Sequence, residues 1–256
     1  MKGFLEYVPG ESFLHKMNPV AKIIAAVLIV FACFVTTSYP LLILILIVDY
    51  LMAARTGMLH QTISLSKAVV VFSLLLAILA LLTKPEGLAL VSLPWGYIGT
   101  GSIFAAILIV LRLVACAIPL FLVFYVTKIS DISNSLVKVL HVPYKYAFTF
   151  SSTVHFIPMF MNDMAAIMEA QTARGVEFDK GGIANKLRLM IPLCVPLLVS
   201  SVRKTNSSAI AAEVRGFNLR TRASGYKEYP FASFDFLAML LCLVLLACAI
   251  AQRLLM

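Results

Sequence analysis

Charge is scarce in this chain, and so are the short motifs by which proteins handle nucleotide or cleave a bond. Charged residues make up 13% of the 256 positions against 61% hydrophobic, and the mean hydropathy is +0.97. Soluble domains average about 25% charged. So large an apolar fraction exceeds what one core can hide, which excludes a soluble globular domain. Disorder, which needs low hydrophobicity, is excluded with it. There is no GxxxxGK(S/T) phosphate loop, no HExxH and no GxSxG, so the usual signatures of nucleotide hydrolysis, zinc proteolysis and serine hydrolysis are missing. The five cysteines, Cys33, Cys116, Cys194, Cys242 and Cys248, sit singly in apolar stretches without a CxxC. That pattern argues against a disulfide framework and a thiolate metal site. No cleavable signal peptide is visible, because Lys2, Glu6, Glu11, Lys16 and two prolines precede the first apolar run.

What is present is a series of helix-length apolar runs. Ile23–Thr37, Pro40–Ala54, Ala68–Thr83, Ile103–Thr127 and Phe231–Gln252 read as five transmembrane helices. A span needs about 20 mostly apolar residues, so the first three must borrow flanking Ser, Thr and Lys. The charge is lopsided, 21 Lys+Arg against 12 Asp+Glu, and 13 of the 21 basic residues fall in 128–230. Basic loops stay in the cytoplasm, which puts the N-terminus inside, residues 128–230 inside and the C-terminus outside. Nucleic acid is a poor partner for this charge, since the basic residues form no run with interleaved aromatics; anionic membrane lipid suits it better.

Two further apolar stretches, Tyr146–Met168 and Leu189–Val202, lie inside the basic region. If the first crossed the membrane it would export Arg174, Lys180, Lys186 and Arg188. The second is too short to span and holds Pro192 and Pro196, which are expected to kink it. Both read as long helices in or below the cytoplasmic interface, with one apolar face each. The chain then divides into 1–127 with four spans, a cytoplasmic region 128–230, and a last span in 231–256.

Both long helices end alike. One closes Ala166-Ile-Met-Glu169-Ala170-Gln-Thr-Ala173-Arg174-Gly175, the other Ser208-Ala-Ile-Ala211-Ala212-Glu213-Val214-Arg215-Gly216. Gly after the last turn accepts the left-handed conformation that stops a helix, and Arg in that turn complements the dipole. Small residues at Ala166, Ala170, Ser208, Ala211 and Ala212 have the spacing that lets two helix backbones approach. An arginine at each tip suits a bidentate contact with a carboxylate of another protein. The feature suits docking better than chemistry.

Other titratable candidates are sparse. His15, His60, His141 and His155 are scattered, although His155 and Asp163 share a helix face. Asp49 and Arg112 fall at the end of one span and inside another. Intramembrane charges are costly, and a buried ion pair, snorkelling and a transport role are all open for these two.

At this point the residues resemble a known family, the transmembrane T components of energy-coupling factor (ECF) transporters, related to the cobalt-transport Q subunit. Tyr7-Val-Pro9-Gly10-Glu-Ser12-Phe-Leu14-His15-Lys-Met-Asn18-Pro19-Val-Ala-Lys22 is similar to that family's YxPGxSxLHxLDPRxK opening, with Asn18 in place of Asp and Val20 in place of Arg. Leu111-Arg112, Thr127, Asp131, Leu136 and Leu140 through Pro143 resemble its fourth span and following short helix. Ala173-Arg174-Gly175 and Val214-Arg215-Gly216 resemble its two X-Arg-Gly coupling motifs, and Phe217 with Arg220–Arg222 the segment after the second.

The resemblance implies an all-α integral membrane protein: about five transmembrane helices plus a cytoplasmic coupling domain with two long interfacial helices. It implies a non-catalytic coupling subunit in the plasma membrane. Arg174 and Arg215 would dock two ABC-type ATPase subunits. ATP–Mg would sit on those partners, and this chain would bind no cofactor and no metal. The other partner would be a substrate-binding S component or a cobalt-type M subunit, and the cargo a vitamin or a metal ion such as cobalt or nickel. Two other classes compete. A membrane enzyme would rest on His141, His155, Asp163 and Glu169. A self-contained carrier would show repeated halves, whereas the only repeat here is the pair of helix ends.

Overall fold

A computed structural model describes residues 8–10, 12–83, 89–93, 96–176, 178, 182–221, 224 and 227–255. The elements are α1 (Phe13–Lys16), α2 (Pro19–Val35), α3 (Tyr39–Arg55), α4 (Leu59–Thr83), β1 (Ala89–Leu93), β2 (Gly96–Gly99), α5 (Thr100–Val126), α6 (Ile129–Lys138), α7 (Tyr144–Ala173), α8 (Ile183–Val214), a short 3-10 turn (Phe217–Leu219) and α9 (Ser233–Leu255). The described residues form an all-α membrane protein apart from one small antiparallel hairpin, in whose backbone register Val91 pairs with Ile98 and Leu93 with Gly96. It forms two compact units, 1–135 with 229–256, and 136–228. The sequence places these divisions at 128 and 231. The structure divides the chain within α6 and just ahead of α9, so the start of α6 belongs with the membrane helices.

In the first unit, α4, α5 and Ser233–Leu254 of α9 are each long and apolar enough to cross a bilayer. Helices α2 and α3 have 17 residues each, about 25 Å of helix and the lower end of what a span requires. The buried side chains of this unit are mainly small: Ala32, Cys33, Ala115, Cys116 and Ala249 gather with Leu42 and Ile45 in one cluster. The large ones face outward, among them Phe31, Val71, Phe72 and Leu75. A soluble protein has the opposite arrangement. In lipid there is no hydrophobic gain between helices, so close backbone approach through small residues holds them together. Helix α4 shows this best: Thr62, Ser66, Ser73, Ala77 and Ala80 make one buried stripe at helical spacing. Ser66 and Ser73 satisfy their hydroxyls on the carbonyls of Ile63 and Val70.

One end of this unit is fastened by polar contacts between residues far apart in sequence. Asn18 caps α2, its side-chain oxygen accepting from the Val20 N–H at 3.0 Å, with Pro19 preset for the first turn. Its amide nitrogen donates to the Tyr229 carbonyl at 2.9 Å, and its backbone N–H donates to Asp235 at 3.2 Å. The Lys22 ammonium donates to Thr127 at 3.3 Å. The Tyr229 hydroxyl donates to Asp131 at 2.9 Å, and burial, followed by this carboxylate, holds the phenol above its ordinary pKa.

The N-terminal motif is a turn of its own. The Ser12 hydroxyl and His15 Nδ1 lie 2.7 Å apart, and His15 Nε2 lies 3.1 Å from the Val8 carbonyl. A proton on Nε2 donates to the Val8 carbonyl, and in the neutral ring Nδ1 then accepts from the Ser12 hydroxyl. A Cβ on Gly10 would meet the His15 ring at 2.7 Å, which explains the glycine. Leu14 then packs with Met58 and Val126. Gly10→Ala should therefore loosen this turn by about 1 kcal/mol or more, read as earlier proteolysis of the N-terminal segment.

Candidate functional site

The second unit contains α7 and α8, of 30 and 32 residues. Neither proline of α8 ends it: the helix runs through Pro192 and Pro196 to Val214. Each proline removes one backbone hydrogen bond, and the apolar and small residues on either side keep the helix going. Among the described side chains of these two helices only Ala147 and Leu193 are buried. Ile191, Val195, Leu198, Val199 and Val202 form an exposed stripe at i, i+4, i+7, i+8 and i+11 on α8, and Ile157 and Met161 are likewise exposed on α7. Such a face is made to meet lipid or protein.

Both helix ends close on a left-handed glycine, Gly175 at φ 90° and Gly216 at φ 69°. At the first, the Gly175 N–H donates to the Thr172 carbonyl at 2.9 Å and the Val176 N–H to Gln171 at 3.1 Å; the two bonds make a complete Schellman cap. At the second, the Gly216 N–H donates to Glu213 at 2.9 Å, and the chain passes directly into the Phe217–Leu219 turn. Ala173, Arg174, Val214 and Arg215 are exposed, so both guanidiniums stand at open tips.

The helices meet below these tips. Asp163 of α7 takes the Lys204 ammonium on both carboxylate oxygens, at 2.7 and 2.6 Å, and the Ser200 hydroxyl at 3.1 Å. The hydrogen bond from Lys204 holds the Asp163 carboxyl below its usual range. Being depressed, this pKa keeps the pair intact above the ordinary carboxylate range, and the contact is lost only as pH falls through the lowered value. The small residues lie elsewhere. Ala166 and Ala170 are exposed, as are Ser208 and Ala211, and Ala212 is half-buried. The three on α8 border a cavity of about 320 Å³ beside Arg215, walled by Tyr144, Phe148 and Phe217. There Arg220 donates to the Tyr144 hydroxyl at 2.6 Å and lies 5.4 Å from the centre of its ring. The Asp163–Lys204 contact and the Arg220–Tyr144 contact are not marked by any short motif. Only the equal spacing, 41 positions between Asp163 and Lys204 as between Arg174 and Arg215, hints at the first.

Of the residues that an enzyme would need, Asp163 is engaged by Lys204, and His155 and Glu169 are exposed. His141 takes a left-handed backbone, φ 58°, where it ends α6. Tyr7, Lys180 and Arg222 lie outside the described residues.

A profile of the cobalt transport protein family, CbiQ, matches residues 10–225. The chain belongs to this family. Several relatives are named energy-coupling factor transporter transmembrane protein EcfT. The protein of that name from Clostridium kluyveri is 30% identical over 97% of this chain and 95% of its own. That from Lactococcus lactis subsp. cremoris is 28% identical over 90% and 89%, and that from Bacillus subtilis 29% over 90% of each. This CbiQ-family chain is thus a T component of an ECF transporter, a multi-pass protein of the plasma membrane.

The contact between α7 and α8 yields a prediction. Lys204→Asp should disturb the relation between the tips, and Asp163→Lys with Lys204→Asp should restore it. Under the ATP-driven coupling proposed below, the single change should lower transport per ATP hydrolysed about 2- to 30-fold, the scale of effects within coupled networks. The charge-swapped pair should regain most of it. Equal coupling in all three would remove the contact from the mechanism.

Proposed function

We propose that this T component transmits the motion of two ABC-type ATPase subunits to a small substrate-binding membrane subunit, for uptake of a vitamin or a metal ion such as cobalt or nickel. The observation that carries the reading is the matched pair of open tips, each an arginine followed by a left-handed glycine, with α7 and α8 joined at Asp163 and Lys204. A capped helix is a rigid strut, and an exposed guanidinium at its end suits a fork-shaped bond to a carboxylate in a groove. Arg174 docks one ATPase and Arg215 the other. ATP–Mg binds on those partners, and this chain supplies no catalytic group.

When the ATPases close, the tips move and the joined helices move with them. Their apolar faces, the Ile191–Val202 stripe foremost, carry the motion to the membrane subunit. The exposed small faces at Ala166, Ala170, Ser208 and Ala211 leave room for partner helices. Reconstitution in liposomes tests this. Uptake should require this chain, both ATPases and the substrate-binding subunit together, with ATP inside the catalytic sites. Uptake by this chain alone would make it a carrier, and product formation without partners an enzyme.

A further inference from the structure

Asp49 lies in the membrane unit, 3% exposed, and its Oδ2 is buried with no hydrogen-bond partner among the described residues. Arg112, the charge inside α5, does not neutralise it. The Arg112 Nη2 donates instead to the Thr36 carbonyl at 2.8 Å, and no ion pair among the described residues joins the two. A buried carboxyl without a partner is costly, and a group of this kind inside a membrane marks a functional position by default.

The carboxyl borders a groove of about 320 Å³ between α2, α3, α5 and α9. Its walls are mainly apolar, with Ala25, Ile29, Met52, Leu122, Leu237 and Leu241 among them; Lys22 also lines it, its ammonium donating to Thr127 at 3.3 Å. Leu237 and Leu241 are more than half exposed, so the groove opens along α9. Its depth limits what can enter. Asp49 stands six residues before Arg55, the last residue of α3, or about 9 Å along the helix. With Arg55, the basic residue that ends this helix, taken at the level of the headgroups, Asp49 lies inside a hydrocarbon layer of about 30 Å. Lipid headgroups remain at the surface, and acyl chains carry no hydrogen-bond donor. A donor at that depth is held by a protein segment, and only a helix crosses there without exposing its backbone.

We infer that the groove receives a transmembrane helix of the substrate-binding subunit, through a large apolar side chain and a hydroxyl or basic group that donates to Asp49. A tyrosine offers both in one side chain, and a serine or threonine beside a large aliphatic residue does so in two. This rests on the coupling function proposed above and names where, outside the coupling helices, the second membrane subunit is held.

The whole complex, purified from membranes in mild detergent, tests the assignment with native chain, Asp49→Leu, Asp49→Asn and Ala238→Trp. A photo-crosslinking phenylalanine replaces Leu241 in a further sample. Asp49→Leu removes the acceptor and should lose the small membrane subunit about tenfold or more relative to the ATPases. Asp49→Asn keeps an acceptor oxygen and should retain it. Ala238→Trp fills the groove from α9 and should lose it with Asp49 in place. The crosslinked peptide should be a transmembrane segment of the small subunit containing a hydroxyl or basic residue. The isolated Asp49→Leu chain should melt higher than native, because an unpartnered carboxyl has gone; a purely structural role for Asp49 predicts a lower melting point. Equal retention in all variants, crosslinks to lipid alone, or loss of every subunit together with stability overturns the assignment. A native chain that brings the ATPases but no small membrane protein overturns it too and leaves ATPase docking standing. A native chain that brings neither removes the proposed coupling function as well.

Discussion

Arg174→Ala combined with Arg215→Ala should release both ATPases from this T component while the chain still folds and inserts. Both side chains are exposed, so truncation opens no cavity and strands no buried group of this chain. Both helix caps use backbone groups and the following glycine, so neither end unravels. The loss falls on the partner, where a carboxylate would be left desolvated without its guanidinium. Truncating one side of such a pair costs roughly 2–5 kcal/mol, mostly as faster dissociation, or roughly 30- to 5,000-fold in affinity. The double variant should lose more than either single one, since in the proposed assembly each tip engages its own ATPase and the two act together through avidity. Binding kinetics of the ATPases on immobilised, detergent-solubilised chain would measure this. Unchanged dissociation of the double variant would mean that docking lies elsewhere on the unit.

A second large effect is expected where the sequence departs from its family's opening motif. Asn18 and Val20 stand where Asp and Arg are usual, and restoring either residue alone should damage the protein. Val20 is 1% exposed, and an unpaired guanidinium buried there costs about 3–5 kcal/mol. It would also sit in the first turn of α2, the end that disfavours a cation. Asn18→Asp replaces the amide that donates to the Tyr229 carbonyl by a second carboxylate close to Asp235. An unsatisfied, like-charged buried group of this kind costs about 3 kcal/mol or more. Made together, the new carboxylate and guanidinium lie two positions apart and can compensate, so the double variant should be less destabilised than the sum by about 0.5–3 kcal/mol. Unfolding of the four chains in one detergent gives the cycle, and strict additivity would show that the two positions do not interact.

Much of this architecture was legible in the sequence because a bilayer imposes simple rules. Runs of apolar residues mark α4, α5 and α9, since only a helix satisfies its backbone in lipid. The end of each coupling helix could be read from Arg-Gly, because the left-handed cap is a local demand that glycine meets. Pairings between distant polar residues could not be read this way. Tyr229 with Asp131, Asn18 with Asp235, and Lys204 with Asp163 depend on where helices cross, and no window of sequence contains both members. The long helix of α8 was legible despite Pro192 and Pro196, because the apolar and small residues around them carry a helical pattern. The β1–β2 hairpin was missed because its strands are short and carry little alternation. The buried ion pair open to Asp49 and Arg112 is absent. Spacing along two helices says nothing of which side of the bundle each side chain faces.

The two arms of the coupling unit are equal in length. Asp163 precedes Arg174, and Lys204 precedes Arg215, by the same 11 positions (174 − 163 and 215 − 204). At about 100° per residue, 11 residues return a helix to within about 20° of its starting angle. Each arginine therefore leaves its helix on nearly the same side as the residue that holds the helices together. Angular phase as well as reach is matched between the arms. A single inserted residue in one arm would lengthen it by only about 1.5 Å yet turn its arginine through about 100°. Chains of this kind should tolerate paired changes of about three or four residues, close to one helical turn, in both arms, and resist a change of one residue in either.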